Sequence, residues 1–301
     1  YKSTIAANTA TIYFMGGVEA ISAATMASLT ASITTAGDLT PPTFTRISGA
    51  DRYATAALAA AIADGQPTTD KMIIVSGESW ADGVSAGVLA SEMGWPVVLQ
   101  TKNGNNASAK SAMDTYLALP GSIKSFVIVG GEAAISTDTT DYLVNTKGVP
   151  VANIRRIAGA DRYTTNRLVN TYANGSGGLT QVGVALASGE SPWDALAASA
   201  WGALKNVMVT LTPTNGGNAD VATYAATLAT AAKSDVNGGG DIEATTLYLL
   251  GGKNAVADSV RTEFKSSAAN NLTATLTGCE EGSQLLWLTL SGALSTAENG
   301  G

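Results

Sequence analysis

Arg46-Ile47-Ser48-Gly49-Ala50-Asp51-Arg52-Tyr53 returns 110 positions later as Arg156-Ile157-Ala158-Gly159-Ala160-Asp161-Arg162-Tyr163, with seven of eight residues unchanged. A second mark travels with it: Ser76-Gly77-Glu78-Ser79-Trp80-Ala81-Asp82-Gly83 is echoed, 112 positions on, by Ser188-Gly189-Glu190-Ser191-Pro192-Trp193-Asp194-Ala195. A third mark occurs three times, as Phe14-Met15-Gly16-Gly17-Val18-Glu19-Ala20-Ile21-Ser22, Ile128-Val129-Gly130-Gly131-Glu132-Ala133-Ala134-Ile135-Ser136 and Leu249-Leu250-Gly251-Gly252-Lys253-Asn254-Ala255-Val256-Ala257. Marks kept in one order define a repeat of about 110 to 120 residues. The chain therefore holds the back half of one unit and two complete ones. Boundaries are expected at 1–45 for the partial first repeat, 46–150 for the second, 151–270 for the third and 271–301 for a tail.

Each unit reads as alternating helix and strand. Asp51 and Asp161 are placed as N-caps of amphipathic helices that run to Gly65 and Gly175. The short apolar runs Met72 to Val75 and Val182 to Ala187 read as buried parallel strands, each feeding a helix. Pro96 to Gln100 and Val207 to Leu211 make a second strand, and Phe126 to Val129 and Leu247 to Leu250 a third, ending at Gly-Gly before another helix. This alternation predicts an α/β fold of tandem repeats, each a small flavodoxin-like unit with a parallel sheet covered on both faces. The tail departs from the repeat. Leu272, Ala274 and Leu276 alternate with threonines, and Leu286, Leu288 and Leu290 follow the same period after the turn-rich Gly278 to Gln284, which predicts an antiparallel β-hairpin.

Composition narrows the function. A chain of 301 residues with 45% hydrophobic residues builds a sizeable core. Its formal charge of −7 and pI near 4.6 argue against a non-specific hold on nucleic acid phosphates. There is no histidine, which removes Ser-His-Asp and Cys-His mechanisms and the commonest zinc ligand. The single Cys279 has no internal disulfide partner. Neither a G-x-G-x-x-G fingerprint nor a P-loop is present, so no cofactor and no metal are expected. No apolar run is long enough to span a membrane, and the residues from Tyr1 lack a secretory signal pattern, as expected of a processed or excised chain. Abundant Ala, Thr, Ser, Gly and Asn suit an extracellular protein.

In their fixed order the marks resemble the type 2 cell-wall-binding repeat of clostridial surface-layer and cell-wall proteins, over roughly residues 11 to 266. The resemblance implies a secreted, non-catalytic protein at the cell wall or cell surface. It also implies three repeats packed about a pseudo-threefold axis, and attachment to an anionic cell-wall polysaccharide or teichoic-acid-like polymer. The family's binding is associated with a Pro-Ile-Leu-Leu-Thr strand and turn. Pro96, Val97, Val98, Leu99 and Thr101 match it with Gln100 inserted, and Val207 to Thr212, including Thr210 and Thr212, hold the same place in the third unit. The first unit lacks its Asp-Arg-Tyr and Ser-Gly-Glu marks. With a charge of −7, contact with an anionic polymer would need local donors or a bridging divalent cation.

The remaining candidates divide between ligand and scaffold. Glu78 and Glu190 sit at a strand's carboxyl end, where open α/β sheets bind ligands. Ser79 with Asp82, and Ser191 with Asp194, have the spacing of a helix cap and its third residue, with Pro192 at the first helical position. Gly16-Gly17, Gly130-Gly131 and Gly251-Gly252 read as tight strand-to-helix turns. Arg46, Asp51, Arg52, Arg156, Asp161 and Arg162 read as caps and as arginines pairing with carboxylates of a neighbouring unit. Trp80 and Trp193 offer aromatic faces to sugar rings or to a neighbouring unit. The expected role is an anchor for a surface protein such as a surface-layer one. The alternatives are a subunit that assembles with copies of itself or other surface-layer proteins, and a glycan hydrolase, for which no unit offers two carboxylates at a convincing spacing.

Overall fold

The computed structural model describes residues 11–34, 42–63, 70–120, 124–175, 183–224, 246–268, 273–277 and 285–291. The helix end at Gly65, Val182, Leu272, Cys279 and the Gly278 to Gln284 turn lie outside these residues. The strands are β1 (Thr11–Met15), β2 (Thr43–Ile47), β3 (Lys71–Ser76), β4 (Val97–Gln100), β5 (Ser125–Val129), β6 (Ile154–Ile157), β7 (Gly183–Ser188), β8 (Val207–Thr212), β9 (Thr246–Leu250), β10 (Thr273–Thr277) and β11 (Leu285–Ser291). The helices are α1 (Ala23–Thr34), α2 (Arg52–Ala63), α3 (Trp80–Met93), α4 (Ala107–Ala118), the short α5 (Asp138–Asp141) running into a π-helical turn at Tyr142–Thr146, α6 (Arg162–Asn174) and α7 (Trp193–Lys205), then α8, described over 219–224, and α9 (Asp258–Ala268).

The second unit builds a parallel sheet in the order β4-β3-β5-β6. Its central strands are apolar without alternation, as a sheet covered on both faces requires: Met72, Ile73, Ile74 and Val75 are buried, as are Phe126, Val127, Ile128 and Val129. The third unit repeats the arrangement as β8-β7-β9, all parallel. There the slot held by β6 in the second unit is taken by β11, which runs antiparallel to β9 and carries β10 at its outer edge. The tail is thus the antiparallel hairpin its period of two predicts, and it extends the third sheet.

The sheets run out of phase with the motif repeat. β6 carries Arg156 and Ile157, which open the third repeat, yet it pairs with β5 of the second; β2, with Arg46 and Ile47, likewise pairs with β1 of the first. The chain leaves each sheet through Gly49 or Gly159 and only then starts the next unit's helix. A Cβ at Gly159 would fall 2.4 Å from Thr164 Cβ, so this exit tolerates no side chain.

The second and third units share one core. α3 packs against α6 and α7 and lies across β8. Gly87 lets α3 approach α7, its missing Cβ position being 2.8 Å from Ser199 Cβ. At the centre of the contact, Asn166 Nδ2 donates to Val209 O at 2.9 Å and to Ser85 Oγ at 3.1 Å, while its Oδ1 accepts from Leu211 N at 3.0 Å. Together with Asn170 Nδ2, which also donates to Val209 O at 3.2 Å, this side-chain amide completes the free edge of the buried β8.

Candidate functional site

The repeated marks converge at the carboxyl ends of the strands, where each unit brings its motifs into one cluster. Arg52 Nη1 donates to Gly77 O at 2.7 Å, and Arg162 Nη1 to Gly189 O at 2.6 Å. Tyr53 and Tyr163 pack against those same glycines, whose Cβ positions would be 2.3 and 2.4 Å from the tyrosine Cε1. The Asp-Arg-Tyr and Ser-Gly-Glu marks are therefore two sides of one contact. Gly130 and Gly251 have positive φ, and a Cβ there would collide with the carboxylates of Asp82 and Asp194. That contact ties the Gly-Gly mark to the same cluster.

Arg46 and Arg156 hold the Gly-Gly turns. Arg46 donates to Gly16 O at 2.6 Å and Ile21 O at 2.8 Å, and Arg156 to Gly130 O and Ile135 O, both at 2.9 Å. The expected pairing of these arginines with a neighbouring unit's carboxylates is corrected: their hydrogen bonds go to main-chain carbonyls that a tight turn leaves without partners. Burial pulls the Arg156 guanidinium below its ordinary range, with Glu132 opposing it. The helices also start later than predicted, because Gly17 or Gly131 first accepts two amides in a turn ending at Ile21 or Ile135.

Asp51 and Asp161 cap their helices, accepting from Ala54 N and Thr164 N at 2.8 Å each. The Thr164 amide, against a smaller burial cost and aided by the Thr164 hydroxyl, holds the Asp161 carboxyl below its ordinary range. Ser79 and Ser191 do not act as caps. The Ser79 side chain makes no cap hydrogen bond, and Pro192 sits one residue before α7 starts. Asp82 and Asp194 face the glycine turns instead. Burial raises the Asp82 carboxyl, and the Arg162 guanidinium of the next unit opposes that rise.

Glu78 and Glu190 do not face each other. Each reaches across its own unit to the loop after the next strand: Glu78 Oε1 accepts from Lys102 N at 2.9 Å, and Glu190 accepts from Thr214 N at 3.3 Å and Thr214 Oγ1 at 2.9 Å. The same brace recurs at a spacing of 112. It fixes two loops rich in amides and hydroxyls, Thr101 to Asn106 and Pro213 to Asn218. In the first loop, the Gln100 side chain is fully buried, its Oε1 accepting from Thr101 N, Thr101 Oγ1 and Asn106 N, while its Nε2 has no partner among the described residues. No pattern rule singles out Gln100; the ladder register does, by aligning it with Thr212 and Thr101 with Pro213.

Of the strand residues singled out for polymer contact, Pro96, Val98, Thr210 and Thr212 are buried, and Val97, Leu99 and Thr101 half-buried. The side chains of Thr210 and Thr212 thus lie inside the third unit, because β8 is covered by α6 and α3. Trp80 is partly buried in the core with the Arg162 guanidinium over its ring at 5.3 Å, whereas Trp193 is exposed. Among the described residues no group of three or more carboxylate or cysteine side chains is placed to hold a metal ion, and no helix is long and apolar enough to cross a membrane.

A family model described as Cell wall binding domain 2 (CWB2) matches residues 46–140 and 156–261. The chain belongs to this family. Each matched stretch opens on the arginine that clamps the preceding Gly-Gly turn and runs beyond its own Gly-Gly mark, so the CWB2 pattern contains the whole cluster described above. Over 120 residues the chain is 30% identical to the N-acetylmuramoyl-L-alanine amidase LytC of Bacillus subtilis (strain 168), a stretch that is 40% of this chain and 22% of the amidase. Among solved structures, Cwp8 from Clostridium difficile is similar with a TM-score of 0.64 and 22% identity, over 86% of this chain and 38% of its own. Cwp6 from Clostridium difficile is similar with a TM-score of 0.58 and 21% identity, over 72% and 30%. At these identities the likeness is one of fold, and it bears out the tandem parallel-sheet repeats. The chain spans well under half the length of each of these relatives.

Proposed function

We propose that this CWB2 chain is a non-catalytic module of the cell surface that anchors a larger protein to an anionic wall polysaccharide. The observation that carries the reading is the duplicated Glu brace. In both complete units a carboxylate is used to order an exposed Asn-, Thr- and Gly-rich loop at the carboxyl end of the sheet, the place where open α/β folds present ligand sites. Loops of this kind offer neutral donors and acceptors suited to sugar hydroxyls. Glu78 and Glu190 belong to different units and each is engaged with a main-chain amide, which supports binding over hydrolysis.

The test is co-sedimentation of the chain with isolated cell walls, before and after removal of the non-peptidoglycan polymer. Sedimentation is expected with intact walls, to vanish on stripping, and to weaken at least about tenfold for the doubly substituted Glu78→Ala, Glu190→Ala chain, the equivalent of about 1.4 kcal/mol. Sedimentation that survives stripping would overturn the polymer as the target.

A further inference from the structure

The second sheet ends one strand sooner than the third. Matched strand for strand, β4-β3-β5-β6 corresponds to β8-β7-β9-β11, and the third sheet then adds β10 beyond β11 whereas the second stops at β6. One side of β6 is therefore without a ladder. Ile157 O accepts from Gly130 N at 2.9 Å, and in a parallel ladder a residue turns both its main-chain groups to the same side, so Arg155 and Ile157 face β5 while Ile154 and Arg156 face outward. Ile154 N donates to Val151 O. The main-chain N–H and C=O of Arg156 have no partner among the described residues.

A groove runs beside that edge. It is a cavity of about 400 Å³ between residues 155–158 and the face of α6 that carries Leu168, Thr171, Tyr172 and Gly175. These four stand at i, i+3, i+4 and i+7, so the helix presents one continuous and largely apolar wall along the strand. Arg155 is exposed, with its guanidinium over the Tyr172 ring at 5.0 Å, and no carboxylate among the described residues pairs with it. None lines the groove either. Neither the arginine nor the ring belongs to the repeat, since the first junction has Thr45 and Ile62 at the matching positions.

We infer that the β6 edge is a docking site for an extended segment of another polypeptide, added to the second sheet as a further strand beside α6, with an acidic side chain opposite Arg155. The third sheet shows the geometry, because there a strand does lie beyond the slot that β6 holds. An edge with an unpaired N–H and C=O is a template for strand addition, in which main-chain hydrogen bonds give affinity and alternate side chains give choice. Of the incoming residues on the α6 face, the one opposite Arg155 gains a cross-strand ion pair as a carboxylate, and the one opposite Ile157 enters the groove as an apolar side chain. Pairing between two copies of this edge would set Arg155 near its own counterpart, and like charges across a ladder repel. The inference is independent of polymer binding at the Glu-braced loops.

The test is a titration of the full 301-residue chain with the acetylated, amidated peptide Leu-Val-Glu-Val-Thr, followed by amide NMR. Saturable shifts are expected at Arg156 and Ala158, with hydrogen exchange at the Arg156 amide slowed while the peptide is bound. The counterpart Leu-Val-Gln-Val-Thr should bind about fivefold more weakly, the scale of an opposite-charge cross-strand pair, and Arg155→Thr, which installs the first junction's residue, should remove that difference. The Glu peptide with both valines N-methylated, which leaves the charge but takes away the donors facing the edge, should not bind. No shifts with the Glu peptide, or binding of the N-methylated peptide equal to its parent's, overturns strand addition. An equal response to N-acetylglutamate α-amide alone overturns it in favour of a bare anion site, and a Glu-to-Gln difference that persists in Arg155→Thr overturns the pairing with Arg155.

Discussion

Gly77 and Gly189 show how much of a motif's meaning lies off the page of its sequence. Each marks a Ser-Gly-Glu turn, but what forbids a side chain there is the tyrosine of a different mark, Tyr53 or Tyr163, lying on the glycine while the adjacent arginine takes its carbonyl. Gly77→Ala is expected to cost about 2 kcal/mol, because the half-buried Tyr53 ring must move and the Arg52 hydrogen bond with it. Urea unfolding checks this, and the pairing is checked by a cycle: Tyr53→Ala should remove most of the further cost of Gly77→Ala. Two costs that simply add would refute the contact. The residues themselves were legible in the sequence as repeated marks. Their partnership was not, since tyrosine and glycine stand 24 positions apart in one unit and 26 in the other, and neither type announces a contact.

At the scale of the element, helix starts divide into those the sequence discloses and those it misassigns. The Asp51 and Asp161 caps follow from local chemistry alone, an acceptor side chain one residue before the first turn, and both form. The Ser79 and Ser191 boxes have equally good local chemistry and do not form, because Asp82 and Asp194 are drawn to glycine turns 48 and 57 positions further along the chain, a tertiary demand that spacing cannot show. The cap makes a pH-dependent prediction. Asp161 has its folded pKa lowered, chiefly by the Thr164 amide. Its contribution is therefore fully present above the unfolded pKa near 3.9 and is lost as pH falls through the lower folded value. Asp161→Ala should cost about 1 kcal/mol at pH 7, and the gap from wild type should close as the pH is taken below the lowered folded pKa of Asp161. A gap that stayed constant into acid would show that the carboxylate is not the cap.

In the whole molecule, the repeat number and the α/β class were legible because periodicity survives without a structure, whereas the sheets' phase was not. Arg156 and Ile157 begin a repeat in sequence and finish a sheet in space, since the strand that carries them completes the previous unit before the chain turns at Gly159. Units joined this way cannot be separate bodies, and α3 joins the second and third further by packing on α6, α7 and β8. Cooperativity between them should then hinge on the closest approach, where Gly87 faces Ser199. Gly87→Leu places a side chain where even a Cβ would be 2.8 Å from Ser199 Cβ, so α3 and α7 must part. The expected cost is about 1–3 kcal/mol, concentrated at the contact and not within either sheet. Differential scanning calorimetry should show the second and third units of the wild type melting in one transition and those of Gly87→Leu in two, because a shared core makes neighbouring repeats fold as one cooperative body only while the interface term outweighs the difference between their own stabilities. A variant that still melted in one transition at an unchanged Tm would place the coupling elsewhere, in the β5–β6 strand exchange, and α3 would be packing between two units that the shared strand had already bound together.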